Sequence, residues 1–251
     1  MSKQRTITYA SFTGIGKKAN NEDTYLTEIH EESGSALCMV CDGVGGQNKG
    51  EIASALLIAS FKEYMESHPD LPDESWVQKA IKYAEARFDA HTQVNPDAKG
   101  MASTLALLYM HNDEALIAHC GDSRVYHFRE EAILFQTKDH SYVNWLIDRG
   151  EITMEQVATH PKKNVITRCI SGSGNPTQAE IHHIKDLHSN DYFLLCTDGV
   201  LEAWNNRELA RLMLPENNMQ TITDELQDKC SLLSIDNYTA ISIKIIEQQA
   251  L

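Results

Sequence analysis

The chain has 251 residues, enough for one large domain or two small ones with a substantial core. Hydrophobic and charged fractions of 42% and 23% are those of an ordinary globular protein and exclude extended disorder. A formal charge of −14 excludes the basic stripe of a nucleic-acid binder, and leaves two readings: acidity for solubility, or acids gathered to hold cations.

The N-terminal "MSKQRTITYASF" lacks the apolar core of a signal peptide, and no apolar run approaches the ~20 residues that span a bilayer. A cytoplasmic protein without a membrane anchor is expected. "RTITYASF", "TYLTEIH" and "SALCMVC" read as strands, with "EESGS" (31–35) as the turn between the second and third. "KGEIASALLIASFKEYMESH" is apolar on most faces and predicts a helix packed on more than one side. A second helix follows, with Val77, Ala80, Ile81, Ala84 and Phe88 at helical spacing and "PDE" as its acidic start. Strands return at "GMASTLALLYM", "EALIAHC", "RVYHF" and "AILFQ", and their short turns predict an antiparallel meander. "HSYVNWLIDRG" and "TMEQVATH" form a small helical patch, followed by strands at "EIHHI" and "DYFLLCTD". "NRELARLML" and "NNMQTITDELQDKCSLLS" read as helices, and "YTAISIKII" closes the chain as a strand. No repeat or linker appears, so one domain over 1–251 is expected, built of two antiparallel sheets covered by pairs of helices.

The chemistry lies where carboxylates meet. If Thr24–His30 and Ala36–Cys41 form a hairpin, its outer ends lie side by side, because antiparallel neighbours are only ~5 Å apart. Glu22 and Asp23 enter at that end, and Asp42 leaves there. The pattern recurs in "FLLCTDGVLE", where Asp198 ends an apolar strand, in the turn "HCGDSR" with Asp122, and in "SIDNYTAISI" with Asp236. Singly, each is an ordinary turn former or solvated acid. As a set, such like charges need a proton or a cation between them. Oxygen ligands select Mg2+ or Mn2+ rather than zinc. Two ions sharing an aspartate would suit phosphoryl chemistry, with Lys17 or Lys18 free to hold phosphate oxygens.

Other motifs carry less. Cys38 and Cys41 on one strand would point to opposite faces, so their C-x-x-C spacing cannot grip an ion. The six cysteines suit reduced, buried thiols. "DGVGGQNKGE" is neither a P-loop nor a dinucleotide fingerprint, and "SGSGN" (171–175) is a weak phosphate cradle.

In order along the chain, "NNED", "CDGVGG", "GMASTLALL", "CGDSRVYHFR", "KDHSYVNWLIDRGEIT", "HPKKNVITR", "LLCTDGVLE" and "DNYTAISI" resemble the metal-dependent protein phosphatases. This is the PPM or type-2C family, and its bacterial serine/threonine branch is the most similar. The resemblance runs from about Ala10 to Ile246. It implies an α+β fold, a four-layer α-β-β-α sandwich with two Mn2+ or Mg2+ ions at one end of the sheets. It implies that Asp42 bridges both ions, that the Gly43 carbonyl and Glu22 complete one, and that Asp198 and Asp236 bind the other. Asp23 would orient metal waters, and Asp122 with Asp198 would hold a third, weaker ion. Residues 139–168 would form a flap beside the cleft.

The implied reaction is hydrolysis of phosphoserine or phosphothreonine on proteins by a metal-activated water, opposing a Ser/Thr kinase; a monomer is expected because the chain can close its own core. The family usually carries arginine where this chain has Lys18, which keeps the charge and loses the bidentate fork. Val44 stands where eukaryotic members have a histidine, so no general acid comes from that position. His140 and His160 flank the flap as weak candidates. Two other classes stay open: a phosphoprotein-binding adaptor without activity, and a two-metal hydrolase of nucleotides or small phosphoesters.

Overall fold

The computed structural model describes residues 5–30, 35–44, 49–214 and 217–247. Most of the expected turn at 31–35, and positions 45–48 of the glycine-rich loop, lie outside the described residues. The strands are β1 (Arg5–Gly14), β2 (Asp23–His30), β3 (Ser35–Val44), β4 (Ala102–Ser103), β5 (Leu105–His111), β6 (Glu114–Cys120), β7 (Arg124–Arg129), β8 (Ala132–Gln136), β9 (Glu180–Ile184), β10 (Tyr192–Cys196) and β11 (Tyr238–Glu247). The helices are α1 (Gly50–Ser67), α2 (Glu74–Val94), α3 (Tyr142–Asp148), α4 (Met154–Val157), α5 (Asp198–Ala203), α6 (Asn206–Leu212) and α7 (Met219–Leu233).

One sheet has the order β1-β11-β10-β7-β8, the other β2-β3-β5-β6-β9, with β4 added to β3. Three apolar layers hold the stack together. Leu57, Phe61, Ile81 and Phe88 of α1 and α2 pack on Met39, Leu105 and Leu107 of the second sheet. Cys38, Leu108, Ile117, Phe193 and Ile241 fill the space between the sheets. Tyr126, Leu194 and Ala240 of the first sheet meet Leu209, Ile222 and Leu226 of α6 and α7. Cys38 therefore lies between the sheets while Cys41 faces the helices, as their odd spacing requires.

Helix starts follow local chemistry. Asp73 caps α2 by accepting from Trp76 N at 2.7 Å, and Asn205 with Glu208 closes a capping box on α6.

The expected meander does not form. β5 pairs with β6 and β7 with β8, but the two hairpins belong to different sheets. The chain crosses between sheets at Gly121–Ser123, where Gly121 adopts φ +107°, a conformation that favours glycine. Residues of β6 and β7 are mostly buried, so their apolar pattern does not reveal which sheet each joins. The crossing leaves Asp122 at the end of the sandwich instead of in a hairpin turn.

Candidate metal centre

Asp42 is positioned by backbone pairing on two sides. Its Cα stands opposite Asp23 across the β2–β3 ladder, the register that the hairpin length implies. On the other side its N–H donates to Thr104 Oγ1 at 2.8 Å, and its carbonyl accepts from Thr104 N at 2.9 Å. Thr104 Oγ1 also shares a 2.7 Å hydrogen bond with Ser123 Oγ, which ties the strand of Asp42 to the crossing that carries Asp122. Just beyond Asp42, Gly43 N donates to the Glu22 carbonyl at 3.0 Å. Gly43 also meets Gly50 at the start of α1 so closely that a Cβ on Gly43 would sit 1.9 Å from Gly50 O. That approach puts the Glu22 carboxylate against the N-terminus of α1.

Asp198 is the first residue of α5, a short helix that the strand-like reading of "FLLCTDGVLE" does not show. The preceding Thr197 donates from Oγ1 to Asp23 Oδ2 at 2.9 Å and accepts from Thr239 N at 3.0 Å. Asp236 sits immediately before β11, and its Oδ1 accepts from Asn237 N at 2.8 Å. Two residues absent from the sequence expectations organise this region. Glu202 Oε2 accepts from Ile235 N at 2.6 Å and Asp236 N at 3.1 Å, joining α5 to the Asp236 loop. Asn237 Oδ1 accepts from Glu22 N at 2.9 Å, while its Nδ2 donates to the Ile15 and Asn20 carbonyls. Lys18 Nζ lies 2.7 Å from Asp236 Oδ1, so the candidate phosphate-holding cation and a candidate ligand are paired.

The electrostatics mark a crowded acidic cleft. Burial, with Asp23, Asp198, Asp122 and Asp236 nearby, holds the Asp42 carboxyl well above the usual carboxylate range. Burial first, and neighbouring acids after it, raise Asp23 to about 7 against hydrogen bonds from Thr239 and Thr197. The same causes raise Asp198 to about 8 and Asp122 to about 6. Burial also raises Glu22, opposed by a hydrogen bond from the Gly50 backbone. Asp23 Oδ1, Asp198 Oδ1 and Glu51 Oε2 are buried without a hydrogen-bond partner. An unpaired buried carboxylate oxygen is costly, and an all-oxygen donor set of this kind fits hard divalent cations. Among the described residues no three of these carboxylates bring oxygens within 4.8 Å of one another. Mg2+-type ions retain several waters and need only one or two carboxylates each, which such spacing suits.

The two histidines of the 139–168 segment are held by local hydrogen bonds. His160 Nδ1 accepts from Lys162 N at 3.1 Å, and both ring nitrogens of His140 face other groups. Val44 is exposed and offers no proton.

A four-layer sandwich with carboxylates gathered at one end of its sheets is the build of the metal-dependent phosphatases. The chain belongs to the protein phosphatase 2C family, whose model matches residues 13–230. Protein phosphatase PhpP of Streptococcus pneumoniae is 29% identical over 244 residues, covering 95% of this chain and 97% of that protein. The S. agalactiae serine/threonine phosphatase structure superposes with a TM-score of 0.84 at 26% identity, covering 96% of this chain and 100% of that one. The catalytic domain of the serine/threonine phosphatase PstP, solved with two manganese ions, gives a TM-score of 0.81 at 26% identity over 97% of this chain and 100% of that one.

Proposed function

We propose that this chain is a protein serine/threonine phosphatase in which Asp42, Asp198, Asp236, Glu22 and the Gly43 carbonyl hold two Mn2+ or Mg2+ ions. The observation that carries the reading is the meeting of Asp42, Asp23, Asp198, Asp122 and Asp236, from distant parts of the chain, with buried oxygens left unpartnered. When bound, such a pair of ions supplies an activated water and positive charge for the phosphoryl oxygens. Asp42, central among the acids, would be shared by the two ions, and Asp23, fixed by Thr197, would orient water beside it. Asp122 and Asp198, both buried acids raised above the usual carboxylate range, would hold a third, weaker ion. Lys18, exposed at the rim beside Asp236, binds a phosphate oxygen as a point charge.

Residues 139–168 act as a flap within a single domain spanning 1–251. Their base is fixed by the bidentate pair of Arg124 with Asp139, at 2.6 and 2.7 Å. Between this segment and the body lies a cleft of about 710 Å³ with a mixed lining, in which Val143, Met154 and Leu201 stand with Arg124, Lys138 and Lys163; Leu201 is three residues beyond Asp198. That cleft suits a substrate side chain next to the phosphorylated residue. The reading includes a cytoplasmic monomer that reverses a Ser/Thr kinase, consistent with six free cysteines.

The test is phosphate release from phosphoserine peptide, phosphotyrosine peptide and a nucleotide, with Mn2+ and with EDTA. Release from phosphoserine peptide alone, abolished by EDTA and by Asp42→Asn or Asp198→Asn, is expected. Nucleotide hydrolysis at equal kcat/KM would favour a general phosphoesterase, and no release at all an adaptor.

A further inference from the structure

His119, His140 and Glu180 bring ligand-type atoms within 4.8 Å of one another, outside the acidic cleft, and resemble a cation site. Their hydrogen bonds exclude that use. Gly121 N–H, an obligate donor, points at His140 Nδ1 at 3.1 Å, so Nδ1 must carry the lone pair. The neutral ring then holds its proton on Nε2, facing Glu180 Oε2 at 3.3 Å. The Lys138 carbonyl, an obligate acceptor, lies 3.0 Å from His119 Nε2 and places a proton there too. The two rings are stacked 4.5 Å apart and 9° from parallel, so their in-plane lone pairs cannot converge on one ion. Arg168 Nη1, a donor 3.2 Å from His140 Nε2, competes for that nitrogen, but a neutral ring has one lone pair and Gly121 N–H already takes it on Nδ1; Nε2 keeps its proton towards Glu180, and Arg168 stands beside it as a cation where a metal would have to sit.

The same bonds define another role. His140 grips Gly121 twice, accepting its N–H on Nδ1 and donating its own backbone N–H to the Gly121 carbonyl at 2.9 Å. The His140 carbonyl accepts from Thr167 N at 2.7 Å and Thr167 Oγ1 at 3.0 Å. One residue thus joins both ends of the 139–168 segment, at His140 and Thr167, to the sheet crossing that carries Asp122. Gly121, at φ +107°, has little of its own to fix the crossing. The geometry points to His140 as a positioning residue: its Nδ1 sets the Gly121–Asp122 crossing, and so couples the base of the flap to the ion held by Asp122. This rests on the proposed phosphatase reading. It gives His140 no contact with substrate and no part in proton transfer.

Removing a group that orients a ligand typically costs about 10–100-fold in metal affinity or activity. His140→Phe retains a ring to stack on His119 and removes the acceptor. In Mn2+ titrations of phosphopeptide hydrolysis it is expected to raise the half-activating concentration about tenfold or more, with KM for the peptide changing less. His140→Asn, whose Oδ1 can accept the Gly121 N–H, is expected to recover most of that loss. In an Asp122→Asn background, His140→Phe should add no further loss, because both changes act through one site. Equal losses in the two backgrounds, or an unchanged half-activating concentration in folded His140→Phe enzyme, overturn the assignment.

The wild-type protein supplies a measurement that needs no variant. Two-bond 1H–15N correlations should show His140 protonated on Nε2 and bare on Nδ1, and a proton on Nδ1 overturns the proposal. Absence of Mn2+-dependent hydrolysis in the wild type would sink the phosphatase reading instead, and would leave the tautomer result standing.

Discussion

At the scale of single residues, the site depends on groups that never touch the reacting atoms. Glu202 is exposed, yet one of its oxygens accepts both Ile235 N and Asp236 N, and so fixes where the Asp236 side chain begins. Hydrogen bonds to a charged group are worth about 1.5–3 kcal/mol each when well formed. Loss of this pair frees the loop without opening the core. Glu202→Ala is therefore expected to weaken Mn2+ activation by about tenfold while changing Tm little, and Glu202→Gln, which keeps one acceptor oxygen, to lie between. Calorimetric Mn2+ titration checks this, and an Ala variant with wild-type affinity would remove Glu202 from the site. Lys18 belongs to the same scale. Hydrogen bonding to Asp236 first, with the charges of Asp236, Asp198 and Asp42, raises its pKa against its own partial burial and keeps the ammonium charged, so a phosphate oxygen must share it with Asp236. Lys18→Ala should mainly raise KM for phosphopeptide, and an unchanged KM would end its phosphate role.

At the scale of elements, the site is assembled by one close approach between β3 and α1. A Cβ added to Gly50 would lie 2.4 Å from the Gly43 carbonyl oxygen and 2.6 Å from the Glu22 carboxyl carbon. Alanine favours a helix interior over glycine by about 1 kcal/mol, but overpacking costs about 1–3 kcal/mol, so sterics are expected to prevail. Gly50→Ala should lower Tm and weaken Mn2+ activation together. Gly174→Ala, where an added Cβ meets nothing within 4 Å, should leave both unchanged. A stabilised Gly50→Ala variant would show that the two elements are not pressed together. Much of this assembly was legible beforehand, because a period of two and near-equal strand lengths put Asp23 opposite Asp42. The sheet crossing at Gly121 was not, since strands buried on both faces carry no mark of which neighbour they join. Helix α5 hid behind an apolar strand running into six helical residues. Glu202 and Asn237 were equally hidden. They act on backbone groups 34 and 215 positions away, and no local pattern encodes such partners.

At the scale of the whole molecule, a protein of net charge −14 concentrates several carboxylates at one end of its sandwich, and its stability should record that. Asp122, Asp23 and Asp198 rise from an ordinary value near 3.8 to about 6, 7 and 8. A raised acid binds more protons folded than unfolded, so stability falls as pH rises through the folded value. For metal-stripped protein, the contribution of these groups is complete below about pH 4 and is lost progressively between about pH 4 and 8. Divalent cations replace the protons, so their stabilising effect should grow over the same window. At a hundredfold excess over Kd a bound ion adds about 2.7 kcal/mol, or roughly 5–10 °C in Tm for a chain of this size. Two other groups leave the comparison clear. Asp191 is held below the usual carboxylate range by Arg129 and His127 against its own burial, so its contribution is complete well before pH 5. Burial lowers His140 to about 4, so its contribution grows only up to its ordinary value near 6.5 and is constant above about pH 7.5. Melting curves with Mn2+ and with EDTA at pH 5.5, 6.5, 7.5 and 8.5 should therefore diverge as pH rises. A gap in Tm that stays constant across that range would show that the acids are not competing with cations for the same oxygens.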